Sequence, residues 1–195
     1  MQRRLVLAST SPYRRSLLER LQIAFETSDP AVDERPHPGE LAPVRAERLS
    51  RAKALAVADR FADALIVGSD QVAALEGAML DKPGARQKAI EQLLRSSGKR
   101  VSFYTGIAVR DTRTNAMSVR VVPCHVYHRT LTRAQIERYL DHEQPYDCAG
   151  SAKVEGLGIA LLRRIEGDDP TALIGLPLIE LTELLQVHGV AVPAP

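Results

Sequence analysis

Ser9 and Ser11 lie in a short polar turn, and Arg14 and Arg15 follow in what the pattern reads as the first turn of a helix opened by Pro12. Cations in that position oppose the helix macrodipole at a cost of roughly 0.3–1 kcal/mol each. An anion at the same helix end offsets the cost. A phosphate there would accept backbone N–H groups, the two serine hydroxyls and a forked hydrogen bond from an arginine. Ser11 alone fits a plain N-cap and the arginines could be solvated, but the whole cluster favours a serine–arginine anion nest.

Cutting a phosphoanhydride also requires a positioned water and usually a divalent metal held by carboxylate and phosphate oxygens. Glu34, on a proline-rich loop, and Asp70, just after a buried strand, could supply the carboxylates. Lys53 on a helix and Lys82 before Pro83 could reach a polyphosphate as point charges. From residue type alone the plainer readings stay open: Asp70 as a turn or cap, Glu34 and the lysines as solvated surface groups. Other constellations are weaker. In a strand, His125 and His128 point to opposite faces and cannot share an ion. Cys148 has no base placed near it by sequence, and Gly156-x-Gly158 lacks the third glycine of a dinucleotide fingerprint. Asp168-Asp169-Pro170 reads as a turn, with acidic groups that could assist a metal.

The elements that must position these groups are legible in the pattern. A strand over Arg3 to Ala8 leads into the first helix, whose buried face carries Leu17, Leu18 and Leu21. Glu26 to Leu41 has no periodicity and reads as a long ordered loop or flap. A second helix opens at Pro43 and runs to about Arg60, followed by a buried strand at Ala64 to Gly68. A hairpin is expected around Glu76-Gly77, a third helix from Ala85 to Ser96, and a second hairpin across Asp111 to Asn115. Thr132 and Gln135 have capping-box spacing, which starts a fourth helix. The run that follows Cys148-Ala149-Gly150 and reaches Leu162, with Lys153 and Glu155 on one face, is expected as a strand, and Pro177 to His188 as the closing helix. This order implies an α/β (α+β) fold, one domain over residues 1–195, with a central mixed, twisted sheet flanked by helices.

The 195 residues, 45% hydrophobic, can bury a sizeable core. A net charge of +2 gives no field that would gather nucleic acid or membrane, and the absence of Trp argues against a base-stacking platform for single strands. Two cysteines, outside any C-x-x-C pair, suit a reducing cytoplasm, and no apolar run is long enough to span a membrane.

The run L-A-S-T-S-P-Y-R-R from Leu7 to Arg15 resembles the N-terminal signature of the Maf-like nucleotide pyrophosphatases. The resemblance continues through Val32-Asp33-Glu34, Lys53, G-S-D-Q from Gly68 to Gln71, Lys82-Pro83, F-Y-T-G from Phe103 to Gly106, and C-A-G-S-x-K-x-E-G from Cys148 to Gly156. It implies a Maf/Ham1-like fold with an active-site cleft, a nucleoside triphosphate substrate, a Mg²⁺ or Mn²⁺ ion on Glu34 and Asp70, and a homodimer. It implies Asp70 as the base that activates water, Glu34 as a metal or catalytic ligand, and Ser9, Ser11, Arg14, Arg15, Lys53 and Lys82 as phosphate-binding groups. Tyr13, Gln71 and Glu155 match the YceF-like branch, for which the implied substrate is 7-methyl-GTP; the branch that cleaves dTTP and UTP typically has Thr after the Asp and Gln in place of Glu. An N7-methylated purine is cationic, so Tyr13 could stack on it while Glu155 accepts the guanine N1–H and N2–H. A nucleotide-sensing regulator of cell division is the non-catalytic alternative, because binding needs the nest and the lysines but not Asp70.

Overall fold

Alternation along the strand Arg4–Ala8 (β1) sends Leu5 and Leu7 to one face of a sheet and Val6 and Ala8 to the other, all four buried. The computed structural model describes residues 3–193. It holds a mixed sheet flanked by helices, an α/β arrangement of the expected class. The remaining strands are Glu26–Thr27 (β2), Ala64–Leu75 (β3), Ala78–Leu80 (β4), Arg100–Asp111 (β5), Met117–His128 (β6) and Leu162–Glu166 (β7). The α-helices are Pro12–Glu19 (α1), Ala42–Ala58 (α2), Arg86–Ser96 (α3), Arg133–Glu143 (α4) and Leu178–Val187 (α5).

The chain divides into two compact units, and β3, β5 and β6 each give part of their length to each. The first unit comprises the described residues through Gln71, Thr105–Val122, and those from Asp169 onward. Its strand order is β2-β1-β3-β5-β6, with β1 parallel to both neighbours. One face packs Leu5, Leu7, Leu65, Val67, Ile107 and Val109 against Leu17 and Leu18 of α1 and the leucines of α5. The opposite face packs Val6, Ala8, Ile66 and Ala108 against Ala54 and Val57 of α2.

In the second unit the end of β3 turns at Glu76-Gly77, both with positive φ, into antiparallel β4. Strand β7 lies antiparallel to β6. Ala89, Ile90 and Leu93 of α3 share a core with Leu131 and with Ile136, Tyr139 and Leu140 of α4, whose Thr132–Gln135 capping box is formed as expected.

Three expectations change. Strand β3 does not stop at Gly68 but continues to Leu75, because Ser69 and Asp70 are buried within it; Asp70 is therefore inside a strand rather than after one. The Glu26–Leu41 segment contributes β2 to the sheet edge. The run after Cys148 is not a strand. Gly150 and Ser151 have positive φ, and the chain forms short 3₁₀ turns at Ala149–Ser151 and Leu157–Leu161 before β7 begins.

Helix α2 lies directly on the sheet backbone at two glycines. A Cβ on Gly68 would be driven into the Ser50 carbonyl oxygen and the Ala54 amide nitrogen, and one on Gly106 into the Ala46 carbonyl. His128, at 1% exposure, shares the buried face of β6 with Cys124 and Val126, while half-buried His125 is on the other face and bonds Ser102 through Nδ1 at 2.9 Å.

Gly68→Ala and Gly106→Ala should each lower stability by at least the roughly 1–3 kcal/mol of an overpacked core, read from denaturant midpoints, because the obstructing atoms are backbone. Burial pushes the His128 imidazole down to about 4, against about 6.5 in an unfolded chain. The unfolded state thus binds the proton first, so stability is full above pH 6.5 and falls as the pH drops toward 4, by about 3 kcal/mol. Unfolding curves between pH 7 and 4.5 should show this slope in the wild type and a flatter one in His128→Leu.

Candidate active site

The first helix begins as the sequence suggests. Ser11 is its N-cap, with Oγ accepting the Arg14 N–H at 3.4 Å, and the Ser11 N–H in turn bonds Ser9 Oγ at 3.1 Å. No acidic side chain occupies the first turn, so the positive helix end is left for an anion. Arg14 donates from Nε to the Gly175 carbonyl at 2.8 Å. Burial lowers its pKa, with the charges of Asp70 and Glu34 acting in the opposite sense. Arg15 takes a different direction: it pairs with Glu19 at 3.2 Å, one turn along on the exposed side, and lines a groove with Ile23, Phe25 and Glu26. Tyr13 is half-buried on the same helix.

Lys53 is the centre of the cluster. Its ammonium lies 2.6 Å from Asp70 Oδ1 and 2.6 Å from Glu34 Oε1. Lys53 and Asp70 are buried, whereas half of the Glu34 side chain is exposed. The seating of α2 on Gly68 and Gly106 brings the fourth turn of that helix to the middle of β3, where Asp70 stands. Glu34 arrives from the proline-rich segment, which α2 pins by two arginines: Arg45 Nη2 bonds the Glu34 carbonyl at 2.9 Å and Arg48 bonds the Arg35 carbonyl and the Glu40 carboxylate. The Arg48 guanidinium lowers the Glu40 pKa to about 2. The segment is thus an ordered strap rather than a free flap.

Two hard oxygen donors that converge on one point suit a divalent ion that fills the rest of its shell with phosphate oxygens and water. Among the described residues no group of three or more His, Cys, Asp or Glu side chains is placed to hold a metal. Glu34 and Asp70 are the residues that could hold one.

Gln71 faces the turn after Asp169. Its Nε2 donates to Ala172 O at 2.8 Å and Leu173 O at 3.0 Å and lies 3.1 Å from Thr105 Oγ1, which leaves Oε1 as the atom it can offer to a ligand. Ser69 Oγ lies 2.9 Å from Gly106 O and 3.0 Å from Gly175 O. The sequence marks Asp169 as part of a turn with acidic groups that could assist a metal, whereas here its carboxylate accepts from Thr171 and Ile179; nothing in the sequence points to Thr171 or Gly175. Only the G-S-D-Q and F-Y-T-G motifs hinted at Ser69 and Thr105.

Lys82 and Glu155 belong to the second unit, where both are exposed. Glu155 occupies the turn before Leu157, not a strand face, and Lys153 pairs with Glu143 at 2.8 Å. The Glu143 carboxylate also accepts the Leu157 N–H at 2.7 Å, which fixes that turn. Burial, with the neighbouring Asp147 charge acting in the same sense, raises the Cys148 thiol to about 12, which disfavours its thiolate form.

A family model described as Maf-like protein matches residues 4–188. A protein of Aromatoleum aromaticum is 54% identical over 190 residues, covering 97% of this chain and 98% of its own length. One of Polaromonas sp. is 53% identical over 97% of this chain and 86% of its own, and one of Pseudomonas aeruginosa 48% identical over 97% and 98%. All three carry the name 7-methyl-GTP pyrophosphatase.

Removing one partner of a buried ion pair leaves the other uncompensated, at a cost of about 3–5 kcal/mol. Lys53→Met should lower stability on that scale, and Lys53→Met combined with Asp70→Asn should cost less than the two single changes added together. Chemical denaturation of the four proteins measures this.

Proposed function

The chain belongs to the Maf-like family, and from that membership we propose that it is a nucleoside triphosphate pyrophosphatase that hydrolyses 7-methyl-GTP to 7-methyl-GMP and pyrophosphate. The observation that carries the reading is the buried Lys53–Asp70 pair, joined by the half-exposed Glu34, within the electrostatic reach of Arg14 at a helix N-terminus. A site that only held a nucleotide would have no use for a buried carboxylate beside the phosphate-binding end.

In the reaction, Lys53 holds Asp70 through Oδ1, and Oδ2 accepts a proton from water. The water oxygen bonds to the α-phosphorus as the bond to the α,β-bridging oxygen breaks, and that electron pair leaves with pyrophosphate. Ser9, Ser11, the start of α1 and Arg14 bind and orient the polyphosphate, with Lys82 assigned to the same task by the family resemblance. Positioning and charge neutralisation supply most of the rate, and no covalent intermediate forms. A Mg²⁺ or Mn²⁺ ion held by Glu34 and Asp70 supplies further neutralisation of the phosphates when bound.

Tyr13 offers an aromatic face to the cationic purine and Gln71 presents its Oε1, while acceptance from the guanine edge is assigned to Glu155 by the family resemblance alone. A homodimer is proposed on the family resemblance alone. A cytoplasmic location is supported by two free cysteines, and among the described residues no helix is long and apolar enough to cross a membrane.

Pyrophosphate release with Mg²⁺ or Mn²⁺, measured on 7-methyl-GTP, GTP, dTTP, UTP and CTP, should show preferential turnover of 7-methyl-GTP. Asp70→Asn should reduce it by roughly 10²–10⁴-fold, the usual worth of a general base. A preference for dTTP or UTP would retain the mechanism and reject the specificity. Binding without turnover of any nucleotide would replace the enzyme by a nucleotide sensor.

A further inference from the structure

We propose that Asp169 is a positioning residue for nucleotide binding: it sets the turn from Asp169 to Leu178, whose carbonyl oxygens aim Arg14 and Gln71. This inference rests on the proposed nucleotide site and adds to it a residue that touches no nucleotide.

Asp169 is buried, at 3% exposure. Oδ1 accepts the Thr171 N–H at 2.8 Å and the Thr171 hydroxyl at 2.6 Å, and Oδ2 accepts the Ile179 N–H at 2.8 Å. The Thr171 oxygen accepts the Leu178 N–H at 2.8 Å, so carboxylate and hydroxyl together occupy donors at the start of α5. Both ends of the turn are thereby tied to one carboxylate. Gly175, with φ 117°, lies between them in a conformation that L side chains rarely adopt.

What the turn presents is a set of acceptors. Gly175 O receives Arg14 Nε, Ala172 O and Leu173 O receive Gln71 Nε2, and Ala172 O also receives the Thr105 hydroxyl at 2.8 Å. These contacts fix the roll of the Arg14 guanidinium and leave Gln71 with one permitted amide orientation. A simple helix cap would need neither. The geometry therefore couples Asp169 and Thr171 to two ligand-facing side chains that they do not touch.

The test is a double-mutant cycle on the full chain, read as the dissociation constants of 7-methyl-GTP and dTTP analogues with a methylene in place of the α,β-bridging oxygen. Thr171→Val, which removes the hydroxyl at constant shape, should weaken the 7-methyl-GTP analogue roughly tenfold and reduce its preference over the dTTP analogue, while Thr171→Ser restores both. In a Gln71→Ala background, Thr171→Val should have little further effect on that preference. Asp169→Asn should repeat the pattern; if it fails to fold, the Thr171 variants decide. A Thr171→Val protein with a lowered melting temperature but unchanged affinities, or effects on preference that multiply with those of Gln71→Ala, overturns the inference. A wild type that binds the analogues but cleaves no nucleotide fails the pyrophosphatase reading alone and leaves the cycle to decide this one. A wild type that binds neither analogue overturns both.

Discussion

The candidate site is organised around a helix that approaches a sheet more closely than side chains ordinarily allow. At Gly68 and Gly106 the backbone of α2 occupies the space a Cβ would need, and the ammonium of Lys53 reaches the middle of β3 as a result. Side-chain contact at those two places would hold the helix farther out. The spacing of Asp70 from Lys53, the burial of both, and the placement of Glu34 by Arg45 of the same helix all follow from that approach.

A buried lysine between two carboxylates is an unfavourable way to make a stable core, since desolvation of the charges offsets much of their attraction. Glu34 contributes from a half-exposed position, where water screens it. The arrangement is better understood as preorganisation: charges held in place before a ligand arrives need not be reorganised when it does. The same logic covers Arg14, whose half-buried guanidinium is held by a backbone carbonyl. It stays available for an anion.

The first unit meets its polar obligations with main-chain acceptors. The turn after Asp169 supplies carbonyl oxygens to Arg14, Ser69, Gln71 and Thr105, so the polar side chains along β3 and β5 are aimed by one short segment. Buried polar groups need partners, and carbonyls fixed by a tethered turn provide them with little freedom left over. Gln71 shows the consequence. Its position in the sequence marks it as a specificity residue by resemblance, but only its contacts determine which of its two polar atoms faces outward.

The sequence by itself determined the alternation that builds β1, the capping box of α4, the turn at Glu76-Gly77, the Ser9–Ser11–Arg14 helix start and, through ordered motifs, the family. Each is a local matter of period, cap or turn, written within a few residues. Tertiary structure decided the rest. Whether Ser69 and Asp70 end β3 or lie inside it depends on what covers them, and a polar pair reads as a strand end until its burial is seen. Whether Arg14 or Arg15 faces inward depends on which side of α1 meets the Gly175 turn. The run through Glu155 reads as extended, yet Gly150 and Ser151 adopt positive φ and the Glu143 carboxylate captures the Leu157 amide, so it becomes turns. Lys53 is indistinguishable from a solvated helix lysine until α2 is seated on two glycines from distant parts of the chain. Contacts between residues that far apart depend on packing, which local pattern does not encode.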